Sequence, residues 1–415
     1  MLNDDVLFHL FEGLRPTQGL CALSSTCRWL REASMPSLFR CCFVRMSITE
    51  RFLPTFAWPY VRYVVLLYNG NTCLNHFRNR ELLLVNTHIL GAVFCPSFLR
   101  DALQAMPRLR SVSVSSRFDN HGLSWETLDV FLSLPHLREF IVDSFIFCPR
   151  DFSSADGCTT SLAPLASLRY RKKESRDPPR TYIPEQAAVT FVSKMLHPTL
   201  ESLELPVEST PLDALSLCPW PRLIELRLSG EYPVGLSQPL ISILSSMSNL
   251  RVLALHFSLR LKTNRQQVWP SRHTTAFPWP ELVDFSVSFP DPDDQIYDNL
   301  PNSLRRLSLR CCPHHCLQRW QPYEHRYWSS PILSASELSH ILRRCNKPLL
   351  DALRIDYVEG GTDPGVLRQL PTLFPALTTL EVNRFREPDG SDVSIVRLCL
   401  LFCFLRRRQL TALHR

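Results

Sequence analysis

Glycine is scarce in this sequence, and the scarcity argues against several kinds of protein. The 415 residues contain only 12 glycines, against 33 prolines. Glycine-rich phosphate loops and the many turns of a β-sandwich draw on the positive φ angles that glycine supplies. The ratio instead favours many short elements that end at rigid proline breaks.

Catalytic signatures are also missing. The sequence has no glycine-rich phosphate loop, no His-Glu-x-x-His pair and no Gly-x-Ser-x-Gly elbow. The one tempting group of metal-ligand residue types is CCPHHC at residues 311–316. Adjacent positions cannot easily surround one ion, and no second Cys-x-x-Cys half accompanies them. We therefore expect a protein that is not an enzyme and has neither a cofactor nor a metal site.

The composition does not indicate secretion, a membrane span or a polyanion partner. The 15 cysteines are scattered, and Asp4 and Asp5 stand where a secretory leader would be basic and then apolar. The longest apolar run, residues 398–405, is much shorter than the roughly 20 residues of a membrane span. The net charge of +7 is modest and forms no basic stripe. We expect a reduced protein of the cytoplasm or nucleus.

Residues 2–46 are predicted to form three short helices. In the first, Asn3 can cap the helix and apolar residues recur at helical spacing from Val6 to Leu14. The second follows Pro16, with Leu20, Leu23, Cys27 and Leu30 on one stripe, and the third is predicted to start at Ser34 and to continue through Phe43. So small a helical unit buries little apolar surface, and we therefore expect it to be only marginally stable in isolation.

Two segments of this region resemble the F-box. They are LNDDVLFHLF at residues 2–11 and LCALSSTCRWLR at residues 20–31, and PSLFR at residues 36–40 is similar to the close of the box in fungal members. Asn3 stands where the family has proline. The resemblance implies that Leu2, Val6, Leu7, Leu10, Phe11, Leu23, Cys27 and Leu30 supply both the contact with a Skp-type adaptor and the small core of the box. The alternative is that these helices only cap a repeat array.

Beyond residue 100 one motif keeps returning: a helix, often a proline, and then apolar-x-x-apolar-x-apolar. Its nine copies begin at Leu109, Leu137, Leu200, Leu223, Leu250, Leu282, Leu304, Leu350 and Leu377, with weaker candidates at Val61 and Leu165. Most neighbouring copies start 22 to 32 residues apart, which is near the leucine-rich-repeat period. The array is similar to the irregular leucine-rich repeats of many F-box proteins.

The predicted fold is α/β. A three-helix F-box at residues 1–46 precedes a linker with the first irregular repeats at 47–100, and a curved leucine-rich-repeat solenoid follows at 101–415. A parallel sheet is expected on the concave face and helices on the convex face. The central variable slot of the strands would line the concave face, and its residues are Ser113, Ile141, Glu204, Arg227, Ala254, Ser286, Ser308, Arg354 and Glu381. Their alternating charges suit a protein substrate better than a polyanion.

Three segments interrupt this pattern. Residues 170–180 are predicted to be an exposed basic loop, for which a disordered excursion is favoured over a contact with the ligand, and residues 311–331 lengthen one repeat. At the end, residues 398–405 are apolar, three arginines follow, and Leu410 and Leu413 begin a motif that is not completed. Since an open end of a solenoid should be polar, we expect a truncated C-terminus, with a lipid-surface helix as the alternative.

The resemblance implies a substrate-recognition subunit of a cullin-RING (SCF-type) ubiquitin ligase. Its head would bind the adaptor and thereby the cullin scaffold, and its repeats would hold a protein substrate. Two alternatives remain. One is a repeat scaffold that acts without ubiquitin, and the other is a nucleic-acid-binding repeat protein that uses Arg171, Lys172, Lys173 and Arg176.

Overall fold

Parallel strands occupy the predicted repeat positions in the computed structural model. It describes residues 4–14, 19–46, 52–68, 88–89, 96–116, 121–148, 162–172, 183–233, 235–260, 263–265, 267–311, 328–329, 331–345, 347–359, 365–386 and 395–401. The chain divides into two units, Met1–Pro211 and Leu212–Arg415. The sequence did not predict this division, which falls inside the expected solenoid.

In the part of the first unit that the structure describes, the main sheet contains six parallel strands. In spatial order they are β1 (Cys41–Met46), β2 (Tyr63–Tyr68), β4 (Ser111–Ser116), β6 (Glu139–Asp143), β8 (Ser167–Arg171) and β9 (Ser202–Pro206). A smaller parallel sheet joins β3 (His88–Ile89), β5 (His121–Leu123) and β7 (Ile146–Phe147). The weaker repeat candidates at Val61 and Leu165 are confirmed, because β2 and β8 follow them.

Side chains alternate along each strand between a buried and an outer face. In β4, Val112 and Val114 are fully buried whereas Ser113 between them is half-buried. The helices cover the buried face: Phe131 of a neighbouring helix stacks on Phe140 of β6, with ring centroids 5.2 Å apart. Neither layer could bury its apolar side alone, which is the physical reason for the repeat.

The helices of the first unit fall into a head and a repeat set. The head contains α1 (Asp4–Leu14), α2 (Gly19–Ser24) and α3 (Arg28–Leu38). The repeat set contains α4 (Pro96–Gln104), α5 (Trp125–Leu132) and α6 (Ile183–Leu196), with 3-10 turns at Thr55–Tyr60 and Val207–Ser209.

The prediction for the second helix was wrong at its end, because that helix stops at Ser24 and Leu30 belongs to the next one. The prediction for the third helix was wrong at both ends. The helix α3 begins at Arg28, one residue after Cys27, whose Sγ accepts a hydrogen bond from the Leu30 backbone N–H at 3.4 Å. It ends at Leu38, and Cys42 and Phe43 belong to β1 instead of a helix. Cys42 and Val44 are buried while Phe43 is exposed, so this segment has the period of a strand.

The second unit repeats the same architecture. Its parallel strands, in order, are β10 (Glu225–Glu231), β11 (Val252–Arg260), β12 (Asp284–Ser288), β13 (Arg306–Arg310), β16 (Ala352–Glu359) and β17 (Thr379–Arg386). Short strands β14 (Trp328–Ser329) and β15 (Leu333–Ser334) pair with the ends of β11 and β16. Of the insertion at 311–331, residues 312–327 and 330 lie outside the described residues.

Among its described residues, five helices accompany these strands. They are α7 (Leu212–Ser216), α8 (Leu240–Ile243), α9 (Ile296–Asn299), α10 (Ala335–Arg344) and α11 (Gly365–Leu373). The predicted capping box is confirmed: the Ser334 hydroxyl accepts from the Glu337 N–H, and the Glu337 carboxylate accepts from the Ser334 N–H. This box fixes where α10 begins.

The last described strand bears on one expectation for the C-terminal segment, the lipid-surface helix. Residues Ile395–Leu401 form β18, which pairs antiparallel with β17. The alternative of a lipid-surface helix is therefore wrong for residues 398–401. Residues 402–415, with Leu410 and Leu413, lie outside the described residues.

Successive repeats are joined by one recurring pair of backbone hydrogen bonds. The carbonyl before a strand accepts two consecutive N–H groups from the next repeat, as Arg62 accepts from Arg110 and Ser111 at 2.8 and 3.0 Å. The carbonyls that do so are those of Arg40, Arg62, Arg110, Arg138 and Ala166 in the first unit and Ile224, Arg251, Val283, Arg305 and Asp351 in the second. This pairing keeps the strand register constant from repeat to repeat.

Two buried carboxylates bind loops to these layers. In the first unit, Glu185 is fully buried and accepts hydrogen bonds from the hydroxyls of Tyr170 and Ser209. In the second unit, Asp294 accepts three backbone N–H groups, from Val268, Trp269 and Ile296, at 2.6, 3.1 and 3.0 Å. Burial raises the pKa of Asp294 to about 6.

Candidate partner-binding surfaces

The head has a small apolar core of its own. Leu7, Phe11 and Leu20 are buried together, and side chains that are half-buried pack against them. The latter are Leu14, Leu23, Leu30, Ala33 and Leu38. These residues form the inner face of all three helices.

The same helices expose large apolar side chains. Val6, Phe8, Leu10 and Trp29 are 51%, 51%, 44% and 56% exposed. A unit this small has little apolar surface with which to stabilise itself, so leaving four such side chains in water is costly unless a partner covers them.

The structure thus divides the predicted adaptor contacts into two groups. Leu7 and Phe11 belong to the head's own core, and Leu23 and Leu30 pack against it. Val6, Leu10 and Cys27 are exposed, with Cys27 also serving as the cap of α3. Leu2 lies outside the described residues. Phe8 and Trp29 are exposed apolar side chains of the head that the F-box comparison did not single out.

The predicted central slots of the first unit form one row on the outer face of its sheet. Ser113 lies beside Ile141 in register, and Ile141 lies beside Arg169. Arg169 then lies beside Glu204. At the other end the row continues to Val65 and the exposed Phe43.

Charges on this face are paired across strands. Arg171 Nη2 lies 2.7 Å from Glu204 Oε2, and Arg169 Nη2 lies 3.7 Å from Glu139 Oε1. The hydrogen bond with Glu204 raises the pKa of Arg171. The predicted basic loop is therefore wrong at its start, because Tyr170 is buried in β8 and Arg171 is an ion-paired strand residue. Lys173 and Arg176 lie outside the described residues.

The second unit has a corresponding row. Its members, in register, are Arg227, Ala254, Ser286, Ser308, Arg354 and Glu381. The middle of the row has small side chains: Ala254 is fully buried, and Ser286 receives or donates a hydrogen bond at 2.8 Å with His256 Nε2. Charged residues flank this strip of small side chains on both sides.

These flanking charges also bind one another. Arg306 Nε lies 2.8 Å from Asp284 Oδ2, and the Glu381 carboxylate lies 3.2 Å from Arg354 Nε and 3.4 Å from Arg310 Nη2. Each of these three arginines therefore has an anion beside it, so among the described residues they form no unbalanced positive cluster.

Arg169 was missed as a member of the row in the first unit. The motif preceding it reads Leu165, Leu168, Tyr170, with an aromatic residue in the third apolar position. Tyr170 is fully buried, as the aliphatic residue of the other copies is. A pattern that accepted tyrosine in that position would have found it.

No protein-family model matches the chain, and no curated protein matches it significantly. Within the described residues, side chains of His, Cys, Asp and Glu form no group able to hold a metal ion. The helices that the structure describes include none with the length and apolar character needed to cross a lipid bilayer.

Proposed function

We propose that this chain is a substrate-recognition subunit of an SCF-type cullin-RING ubiquitin ligase that works in the cytoplasm or nucleus. The observation that carries the proposal concerns the head. Leu7, Phe11 and Leu20 form its buried core, yet Val6 and Leu10, on the same helix as Leu7 and Phe11, are exposed. In this proposal a Skp-type adaptor covers the exposed side.

The repeats are the part of the chain that binds the substrate in this proposal. Their outer rows present side chains that differ from strand to strand, on a backbone that is held in constant register. Such a surface suits recognition of a protein substrate, since variable groups on a rigid support provide specificity. The chain itself performs no chemistry and raises the effective concentration of substrate beside the charged ubiquitin-carrying enzyme.

Co-expression with a Skp-type adaptor tests the proposal. We expect a stable complex that survives size-exclusion chromatography and brings the cullin scaffold with it. A folded chain that forms no complex with the adaptor would leave the scaffold alternative, in which the three helices only cap the repeats.

A further inference from the structure

A cleft of about 360 Å³ lies between the head and the amino-terminal ends of β2 and β4. Leu7, Phe8 and Phe11 of α1 form an apolar wall, and Arg40, Arg62 and Arg108 lie along the lining. Because Phe8 is also half exposed, the cleft is continuous with the apolar surface of the head.

The lining has more positive than negative charge. Glu12 is the acidic residue of the lining, and its Oε1 lies 3.3 Å from Arg40 Nη1. Arg62 and Arg108 are exposed and have no carboxylate partner in the part of the chain that the structure describes. The Arg40 Nε is buried and has no acceptor among the described residues.

Other arginines along the same edge of the sheet have a structural role. Arg110 Nη1 donates to the His136 carbonyl at 3.1 Å, and Arg138 Nη1 donates to the Pro164 carbonyl at 3.4 Å. Each links its own repeat to the next. Arg62 and Arg108 make no such link among the described residues, so support of the repeats does not account for them.

We infer that this cleft binds an acidic peptide segment that carries an apolar side chain. Its carboxylates contact Arg62 and Arg108, while the apolar side chain lies against the exposed ring of Phe8. Guanidinium groups bind carboxylates through charge-assisted hydrogen bonds, which are stronger in a cleft partly closed to water.

The identity of the partner rests on the proposed function, but the binding of an acidic segment with an apolar side chain in the cleft does not. If the head binds a Skp-type adaptor, the acidic segment belongs to the adaptor and extends its contact from the helices to the first repeats. The first repeats would then be part of the adaptor-binding surface, in addition to their place in the array.

The test uses the full chain and a fluorescent synthetic peptide with glutamates on both sides of one phenylalanine. A twin peptide replaces every glutamate with glutamine, and a third replaces the glutamates with phosphoserine. We expect saturable binding of the glutamate peptide that weakens as salt is added, and at least about 10-fold weaker binding of the glutamine twin. Tighter binding of the phosphoserine peptide would identify phosphate as the preferred anion of such a segment.

Arg62→Gln with Arg108→Gln should weaken binding of the glutamate peptide about 10-fold without changing the melting temperature, because both side chains are exposed. Arg251→Gln is the matched control, since Arg251 holds the position of Arg62 in a repeat of the second unit. Equal binding of the two peptides, or no effect of the double substitution, would overturn the inference. Arg40 is left unchanged because it pairs with Glu12 and lies over the Tyr63 ring.

Adaptor binding is measured separately with the same variants. If the glutamate peptide binds as expected but the adaptor does not bind the unaltered chain, the proposed function fails and the cleft stands. Suppose that the adaptor binds the unaltered chain and the double variant equally, and that the glutamate peptide also binds both with the same affinity. The inference about the cleft then fails, and the proposed function stands.

Discussion

Replacing Val6 and Leu10 with serine should separate adaptor binding from folding. The two residues lie one helical turn apart on α1 and are 51% and 44% exposed. Full burial of a valine or leucine side chain contributes about 1.5–3 kcal/mol. Since roughly half of each side chain remains to be covered, the adaptor gains about 1 kcal/mol from each. Val6→Ser with Leu10→Ser should then raise the adaptor Kd about 30-fold.

Isothermal titration calorimetry measures this Kd, and chemical denaturation measures the free energy of unfolding. We expect the latter to change by less than about 1 kcal/mol, because neither side chain belongs to the head's core. Leu217→Ser with Leu349→Ser is the matched control: these leucines are 82% and 43% exposed and lie outside the head. This control should leave the adaptor Kd unchanged.

Leu7→Ala provides the opposite case. Leu7 is 4% exposed, so its truncation should cost about 2–5 kcal/mol and unfold the head. Binding would then be lost together with helical structure. A serine double variant that is folded and binds the adaptor as tightly as the unaltered chain would show that Val6 and Leu10 are not adaptor contacts.

Three further predictions concern stability. Burial raises the pKa of Asp294 from 3.8 to about 6, so the folded chain holds this proton more tightly than the unfolded chain does. Protonation of Asp294 should therefore add about 1 kcal/mol to the free energy of unfolding as pH falls from 7.5 to 5. This contribution is lost as pH rises through about 6. Asp294→Asn should lack this increment in denaturation curves at the two pH values, and an unchanged increment would refute the assignment. Tyr170→Phe removes a hydrogen bond to buried Glu185 and should cost about 1–3 kcal/mol, with an unchanged melting temperature as the contrary result. Ser334→Ala removes the capping box with Glu337 and should cost about 1 kcal/mol by the same measurement, whereas no loss would mean that the cap is replaced by water.

Periodicity predicted the strands well and the head poorly, for a physical reason. An apolar-x-x-apolar-x-apolar motif beside a proline repeats many times, and the copies support one another, so the register of Ser113 with Ile141 follows from the pattern alone. In α1, by contrast, Leu7 with Phe11 and Val6 with Leu10 have the same spacing. Only packing against α2 and α3 decides which pair is buried.

The segment around Cys42 and Phe43 was misread for a related reason. Its apolar residues fit a helical stripe, but pairing with β2 supplies hydrogen bonds that a short helix after Pro36 could not match. The ion pairs of the outer faces could not be predicted from the sequence either. The sequence indicated a mixture of charges, yet the contact of Arg354 with Glu381 depends on strands brought together by the fold.

Hydrogen exchange of the full chain, alone and with a Skp-type adaptor, shows whether the exposed side of the head is the surface that the adaptor covers. We expect the adaptor to slow amide exchange in Asp4–Leu14 and Arg28–Leu38, which are the helices of the head that carry exposed Val6, Phe8, Leu10 and Trp29. Slower exchange confined to the repeats, or no change anywhere in a chain that remains folded, would contradict this expectation.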